Sequence, residues 1–149
     1  MLKTEETRAV DDWRLVAGQL RRLRIDLATG ACDVSVIRGL AVDSLYVHPD
    51  HVGRRHRYSY GEMVAIGADG QQNLQLVKVD HDTNRTRLWM GQDLRREVPA
   101  CPMFAPNPCS GCEDDGVLIS YVRDHPTGNS FVVVLDAASF REVAFASPY

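Results

Sequence analysis

The chain has 149 residues, of which 44% are hydrophobic and 25% are charged, and these values suit one ordinary globular core. Its 17 basic and 20 acidic residues give a formal net charge of -3, which argues against a general affinity for nucleic acid. No stretch approaches the roughly 18 apolar residues that cross a bilayer, and the amino end is charged where a signal peptide is apolar. We therefore expect a soluble, intracellular protein.

The first predicted element is a modest amphipathic helix within residues 5–20, through Val10, Trp13, Leu15, Val16 and Leu20. The rest of the chain contains short runs rich in Val, Ile, Leu and Tyr, bounded by turn residues, which is the pattern of β-strands. We therefore predict an N-terminal segment, residues 1–19, without a well-defined fold, followed by an all-β region over residues 20–149.

A strand–turn–strand unit repeats three times along this region, around Asp26, Asp80 and Asp136. The three aspartates are 54 and 56 positions apart, and each closes a strand where its side chain can accept hydrogen bonds from turn amides. The second and third hairpins are preceded by further strands, RYSYGEMVAI and GVLISYVRD. Four strands per roughly fifty residues is the size of a propeller blade.

About two to three such blades are present, whereas closed propellers have four to eight. Each blade buries its faces against its neighbours, so the chain is predicted to be part of a larger propeller with two apolar faces left open. Trp13, Trp89 and the tyrosines of the RYSYG segment are expected to pack on blade faces rather than to stack on a ligand.

Three segments have more specific sequence motifs: DSLYVHPDHVGRRHRYSYG, CPMFAPNPCSGCEDDGVLISYVRD and SFVVVLDAASFREVAFASPY. Their order and spacing resemble the carotenoid cleavage oxygenase family, also called the retinal pigment epithelial membrane protein family. That family has a Glu-Phe-Pro-Arg-Ile-Asn/Asp segment leading into Tyr-Arg-Tyr-x-Tyr-Gly, then Glu-Pro-x-Phe-Val-Pro-x-Pro and Glu-Asp-Asp-Gly, and finally Leu-Leu-Asp-Ala-x-x-Phe-x-Glu. The segment Glu113 to Gly116, with Asp136, Ala137, Phe140 and Glu142, carries the most specific part of this resemblance.

The resemblance implies the C-terminal blades of a seven-bladed propeller whose axis holds Fe(II) on four histidines. It also implies a carotenoid or apocarotenoid substrate, whose carbon–carbon double bond reacts with dioxygen to give two carbonyl products. Three of the iron ligands belong to blades before this chain and the fourth to a Phe-His-Gly segment after Tyr149. The chain alone is therefore expected to bind no iron, to contain no catalytic residue and to be inactive.

Two positions correspond to carboxylates that, in the family, orient the ligand histidines. The first falls on Asp43, which is one methylene shorter than the family's Glu. The second falls on Cys101, a neutral thiol that accepts hydrogen bonds weakly. These two positions are the site residues that the resemblance implies in this chain.

The histidines are expected to be surface or turn residues. His48, His51 and His56 lie close together in sequence, but an extended loop does not direct such spacings to one point. His81 and His125 fall in predicted turns and are expected to be solvated. The run Glu113 to Gly116 lacks the alternating ligands of a calcium loop and is read as a turn.

Two alternatives to the oxygenase stay open. One is a non-catalytic propeller fragment or interaction module, which the loss of a carboxylate at Cys101 favours. The other, less favoured, is a small zinc-binding β domain that uses Cys101, Cys109 and Cys112, although a second Cys-x-x-Cys pair is missing. The isolated chain is expected to self-associate through its open faces, and any peripheral membrane contact is assigned to missing regions. The expected compartment is the cytoplasm or a plastid.

Overall fold

The computed structural model describes residues 19–66, 72–91 and 97–147. The predicted N-terminal helix lies outside these residues, except for Gln19 and Leu20, which belong to the first strand. Within the described residues there is no α-helix, and none of the helical structure found there is long and apolar enough to cross a membrane. The described residues form ten strands and one 3-10 turn: β1 Gln19–Ile25, β2 Cys32–Tyr46, the 3-10 turn Pro49–His51, β3 Tyr58–Ile66, β4 Gln72–Asp80, β5 Arg85–Trp89, β6 Glu97–Pro99, β7 Met103–Pro106, β8 Gly116–Asp124, β9 Ser130–Asp136 and β10 Arg141–Ala146.

The chain divides into two compact units, Met1–Ala41 and Val42–Tyr149. The described part of the first unit is an antiparallel hairpin of β1 and the first part of β2, with Ile25 opposite Cys32. The Asp26 side chain accepts hydrogen bonds from the backbone N–H of Ala28 at 2.8 Å and of Thr29 at 3.1 Å. Gly30 completes the turn with a φ of 73°, a conformation that glycine adopts without steric cost.

The second unit begins with an antiparallel sheet in which the last part of β2 pairs with β3, β3 with β4, and β4 with β5. The β2–β3 register shifts between Val42 and Ser44, so Asp43 is the extra residue of a β-bulge. A Cβ atom on Gly61 would overlap the carbonyl oxygen of Ser44. The glycine of the RYSYG segment therefore allows β2 and β3 to approach at this point.

The second sheet of this unit has the order β10, β9, β8, and then β6 and β7, which both pair with β8. β6 and β7 act as one edge strand that is interrupted at residues 100–102. The interruption is held to β8, because the Ala100 N–H donates to the Tyr121 carbonyl at 2.8 Å and the Ser120 hydroxyl donates to the Ala100 carbonyl at 2.6 Å. Each sheet of the second unit is therefore a four-stranded antiparallel layer, as predicted.

The main core lies between these two sheets. Alternate residues of β8 and β9 face it, and Leu118, Val122, Val133 and Leu135 are fully buried there. Residues of the first sheet meet them in the same cluster: Tyr60, Leu76 and Trp89, with Tyr58 packed at its edge. The rings of Tyr60 and Phe104 stack with centroids 5.2 Å apart. The prediction that Trp89 and the RYSYG tyrosines pack on blade faces is confirmed.

The other two predicted aspartate turns are confirmed. The Asp80 side chain accepts from the N–H of Asp82 at 3.0 Å and of Thr83 at 3.3 Å, and Asp136 accepts from the N–H of Ser139 at 2.7 Å. The prediction for His81 was wrong, because this residue is buried. Its Nε2 lies 2.7 Å from the hydroxyl of Ser59, which is itself buried. That hydrogen bond compensates for the loss of water around the imidazole.

Candidate functional site

The two sequence-predicted site positions both influence the pKa of one buried carboxyl group, that of Glu62. Asp43 is an exposed residue of the β2 bulge, and Cys101 is exposed in the interruption between β6 and β7. Both act on Glu62, which lies in β3 opposite Ser44 and Leu76 and is 7% exposed. The three residues come from three different strand regions, so the site depends on the packing of the two sheets.

Glu62 is the site residue that the sequence analysis missed. Residues directly opposite each other in an antiparallel sheet share a face, so Glu62 points to the same side as Leu76, a member of the core between the sheets. The alternation of β3 carries this information, because Tyr60 and Glu62 are two positions apart. An acidic residue on the core face of a strand is the signal that would have identified it.

Cys101 influences the pKa of both Glu62 and Tyr46. Burial raises the pKa of Glu62 above its ordinary value, the hydrogen bond from Cys101 opposes that shift, and the charge of Asp43 adds to it. A hydrogen bond to Cys101 is the main cause that raises the pKa of the Tyr46 hydroxyl. These surroundings disfavour the ionised forms of the Glu62 carboxyl group and of the Tyr46 hydroxyl.

A groove of about 360 Å³ opens beside Tyr46 and Cys101. Tyr46 and Cys101 supply its polar atoms. The remaining wall is apolar and comes from Val47, Pro49, Pro102, Met103 and Phe104. His48 packs against the lining residue Phe104, with the two ring centroids 5.1 Å apart. The His48 Nδ1 accepts a hydrogen bond from the Asp50 N–H at 3.1 Å.

The described residues do not form a metal site. Across residues 19–66, 72–91 and 97–147, no three or more His, Cys, Asp or Glu side chains are grouped to hold an ion. The His48 and His51 rings contact each other edge to face at 5.3 Å, while His56 contacts His81 in the same way at 5.4 Å. These histidines therefore pack in two separate pairs.

The cysteine cluster predicted as an alternative zinc site is likewise not assembled in the part of the chain that the structure describes. Cys101 lies at the Glu62 site, whereas Cys109 and Cys112 are exposed thiols in the loop between β7 and β8. The loop is held by its own backbone, with the Cys109 N–H donating to the Asn107 side chain at 3.1 Å. The geometry offers no tetrahedral arrangement of the three sulfurs.

The acidic run after that loop has a structural role that explains its sequence. Glu113 reaches the first sheet of the unit and accepts hydrogen bonds from the N–H groups of Arg57, at 2.8 and 2.9 Å, and Tyr58, at 2.7 Å. Asp114 pairs with the buried ammonium of Lys78 at 2.8 Å. At Gly116 a Cβ atom would meet the Ala105 carbonyl oxygen. Through Glu113 and Asp114 the run therefore joins the two sheets.

Comparison with known proteins gives a consistent picture. The sequence profile described as Retinal pigment epithelial membrane protein matches residues 2–147. Carotenoid cleavage dioxygenase 8, chloroplastic, of Arabidopsis thaliana is 37% identical over 114 residues, which cover 74% of this chain and 19% of the relative. Torulene dioxygenase of Fusarium fujikuroi is 30% identical over 105 residues, covering 67% of this chain and 17% of the relative.

Solved structures of similar fold agree. A variant of the Synechocystis apocarotenoid oxygenase superposes with a TM-score of 0.74 and 28% identity, covering 89% of this chain and 29% of that one. The cobalt-substituted Synechocystis enzyme gives a TM-score of 0.75 with 28% identity, covering 87% of this chain and 27% of that one. The chain thus spans about a fifth of these curated relatives and under a third of these structures. The prediction of a partial seven-bladed propeller is confirmed.

Proposed function

The chain belongs to the carotenoid oxygenase family described as retinal pigment epithelial membrane protein, and on that premise we propose that the whole protein is an iron(II)-dependent dioxygenase. Its substrate would be a carotenoid or apocarotenoid. One dioxygen molecule would be added across one carbon–carbon double bond, so that each carbon ends as a carbonyl and both oxygen atoms are used. The observation that carries the proposal is the match of the family profile to residues 2–147.

The described residues do not by themselves fit an iron centre, because they group no three metal-binding side chains. The histidine ligands that the family resemblance implies would lie outside this chain. We therefore assign to the chain the scaffold of two blades, and we derive no chemical step from it. The apolar groove beside Cys101 is consistent with a protein that handles a polyene.

We further propose that Asp43 and Glu62 orient histidine ligands in the whole protein by accepting a ring N–H. Ligand histidines commonly donate their second N–H to a carboxylate, which fixes the tautomer and the ring plane. Cys101 replaces the carboxylate of the family pattern, and Glu62 brings a carboxyl group to the same place from β3. Cys101 and Tyr46 would then hold Glu62 in position.

The roles of Asp43 and Glu62 can be tested by metal content. In the complete protein, Asp43→Asn and Glu62→Gln should each weaken metal affinity about 10- to 100-fold, the usual cost of losing such a partner. Bound iron per protein, measured by plasma emission spectrometry after dialysis against graded chelator, gives the affinity without an activity assay. Cys112→Ser is the matched control, because Cys112 lies in the exposed β7–β8 loop. Unchanged iron affinity in both Asp43→Asn and Glu62→Gln would contradict these roles.

The activity itself requires the complete reading frame. We would express it in carotenoid-accumulating bacteria and analyse the products by chromatography, with ¹⁸O₂ as the oxygen source. The proposal predicts paired carbonyl products that each carry one ¹⁸O atom. Loss of pigment without labelled carbonyls would contradict a dioxygenase. The chloroplastic name of the Arabidopsis relative supports a plastid as the compartment, which a fluorescent fusion of the complete protein would test.

A non-catalytic propeller fragment or interaction module is the second candidate. The thiol at Cys101 favours it, because a thiol accepts hydrogen bonds more weakly than the carboxylate of the family pattern. The two candidates differ in a simple measurement. A complete reading frame that binds iron and yields cleavage products supports the oxygenase, whereas a stable protein that binds no iron at any chelator concentration supports the module.

A further inference from the structure

A second cleft, of about 280 Å³, lies between the two sheets at the end of the β4–β5 hairpin. One wall is this hairpin, and the other includes Asp114 and the turn residue Ala138. The register of β4 and β5 places Lys78 opposite Arg87 and Asp80 opposite Arg85. These four side chains therefore share one face of the hairpin. Both walls belong to this chain, so the cleft needs no further blade to form.

Positive charge exceeds negative charge in this cleft. Four cationic side chains line it, Arg57, Lys78, Arg85 and Arg87, and two carboxylates, Asp80 and Asp114. The difference, four minus two, leaves two positive charges.

Both carboxylates already have partners. The Arg57 guanidinium donates to both oxygens of Asp80, at 3.1 and 2.8 Å. The Lys78 ammonium donates to Asp114 at 2.8 Å and is almost completely buried. The charge that remains is therefore carried by Arg85 and Arg87.

The geometry holds one of these two arginines in place. The Arg87 Nη1 donates to the backbone carbonyl of Ser139 at 2.7 Å, which fixes its guanidinium at the mouth of the cleft. Arg85 is two positions earlier on the same strand face and is exposed. Two guanidinium groups on one strand face repel each other, and each offers several N–H donors, so the pair suits a compact anion between them.

We propose that this cleft binds a phosphate group, held between Arg85 and Arg87. A doubly charged phosphate would balance the two excess positive charges. The group could belong to a phosphate ion or a phosphomonoester in solution, or to the headgroup of an anionic lipid. The proposal is independent of the oxygenase function, because the cleft shares no residue with the Glu62 site.

The test uses the 149-residue chain, with arginine Nε–H resonances followed by NMR during titration with inorganic phosphate. Arg85→Gln should weaken binding about tenfold or more, the cost of losing charge-assisted hydrogen bonds. Arg85→Lys keeps the charge but loses the planar fork and should fall between Arg85→Gln and the wild type. Arg123→Gln, on β8 outside the cleft, is the matched control and should bind as the wild type does.

Sedimentation with vesicles identifies the source of the phosphate group. Binding to vesicles of phosphatidic acid and phosphatidylcholine, but not of phosphatidylcholine alone, with loss of this binding in Arg85→Gln, identifies a lipid headgroup. Phosphate binding without vesicle binding identifies a soluble ligand. Absence of binding in both experiments overturns the proposal. Equal weakening by Arg85→Gln and Arg123→Gln also overturns it, because it would mean that only net charge matters.

Discussion

The backbone N–H of Tyr58 donates a hydrogen bond of 2.7 Å to the Glu113 carboxylate, across 55 positions of sequence. The same carboxylate accepts from the N–H of Arg57. These N–H groups lie at the start of β3 in the first sheet, whereas Glu113 lies just before β8 in the second sheet. One side chain therefore connects the two sheets. The acidic motif is therefore an inter-blade contact rather than only a turn.

Replacing Glu113 should destabilise the packing of the two sheets. Glu113→Ala leaves the N–H groups of Arg57 and Tyr58 without their acceptor, which should lower the free energy of unfolding by about 1–3 kcal/mol. Urea unfolding followed by tryptophan fluorescence measures the change, because Trp89 is in the core between the sheets. Glu142→Ala, an exposed glutamate on β10, is the control and should stay within about 0.5 kcal/mol of the wild type. Equal stability of Glu113→Ala and the control would contradict the role of Glu113.

The Lys78–Asp114 pair should be energetically coupled. Lys78 is 4% exposed and donates to Asp114 and to the carbonyls of Ala137 and Ala138. Lys78→Met keeps the apolar stem but leaves Asp114 without its cation, and should cost about 3 kcal/mol.

A double-mutant cycle with Asp114→Asn isolates the pairwise part, which should be about 1–3 kcal/mol. Urea unfolding of the wild type, both single variants and the double variant gives the four free energies. Additive losses would show that Lys78 acts through the carbonyls and through its contact with the Tyr58 ring, 4.3 Å from its Nζ.

Acid should destabilise the protein through the aspartate turns. The Arg57 hydrogen bond lowers the pKa of Asp80, and hydrogen bonds from Ser139 lower the pKa of Asp136. The unfolded chain has the ordinary value of about 3.9. Because the folded pKa is lower, the stabilisation is complete well above pH 4 and is lost as the pH falls below it towards the folded values.

Unfolding free energies measured between pH 6 and pH 2.5 should therefore decrease steadily with acid. Asp136→Asn should be less stable than the wild type at pH 6 and should lose less stability on acidification. Ser139→Ala keeps the carboxylate but removes the hydroxyl donor, so its pH dependence should be intermediate. If Asp136→Asn and the wild type had parallel profiles, the turn would not contribute to acid sensitivity.

Local chemistry made much of this fold predictable from the sequence. Asp26, Asp80 and Asp136 each bond to amides two or three residues ahead, so the turn can be read within one short segment. Apolar residues recur in the strands on both sides of each turn. Blade number followed from counting these hairpins, because one hairpin with its preceding strands makes one blade.

The site and the buried polar residues depend on contacts that are distant in sequence. Glu62 and Cys101 are brought together by the strand register and by the packing of two sheets, neither of which a single segment specifies. His81 has a turn position, as predicted, but its burial depends on Ser59, 22 positions away. The Glu113 contact was missed for the same reason, although its motif was recognised.

Glu62→Gln should stabilise the protein at neutral pH. Burial raises the pKa of Glu62, so its charged form is disfavoured in the folded state. This cost is complete above the folded pKa and disappears as the pH falls below the unfolded value of about 4.3. The variant should therefore exceed the wild type in unfolding free energy at pH 7, and the difference should vanish near pH 4. Glu142→Gln is the control for the change from carboxyl to amide. If the gain in unfolding free energy of Glu62→Gln were independent of pH, the packing of the side chain and not its charge would be responsible.

The outer face of the second sheet should drive self-association of the isolated chain. The core side of β8 and β9 carries Leu118, Val133 and Leu135. The alternate residues face outward, where the pairs Ile119–Val134 and Tyr121–Val132 form an apolar surface.

Tyr121 on this surface is 52% exposed. A further blade would cover it in a complete propeller, and a second copy of the chain offers a substitute surface. Sedimentation velocity over a range of concentrations should show reversible dimers, and Val132→Glu should shift the chain to monomer by placing a charge in the contact. Val52→Glu adds the same charge on an exposed loop and should leave the dimer unchanged, whereas a wild-type chain that stays monomeric at every concentration would contradict the prediction.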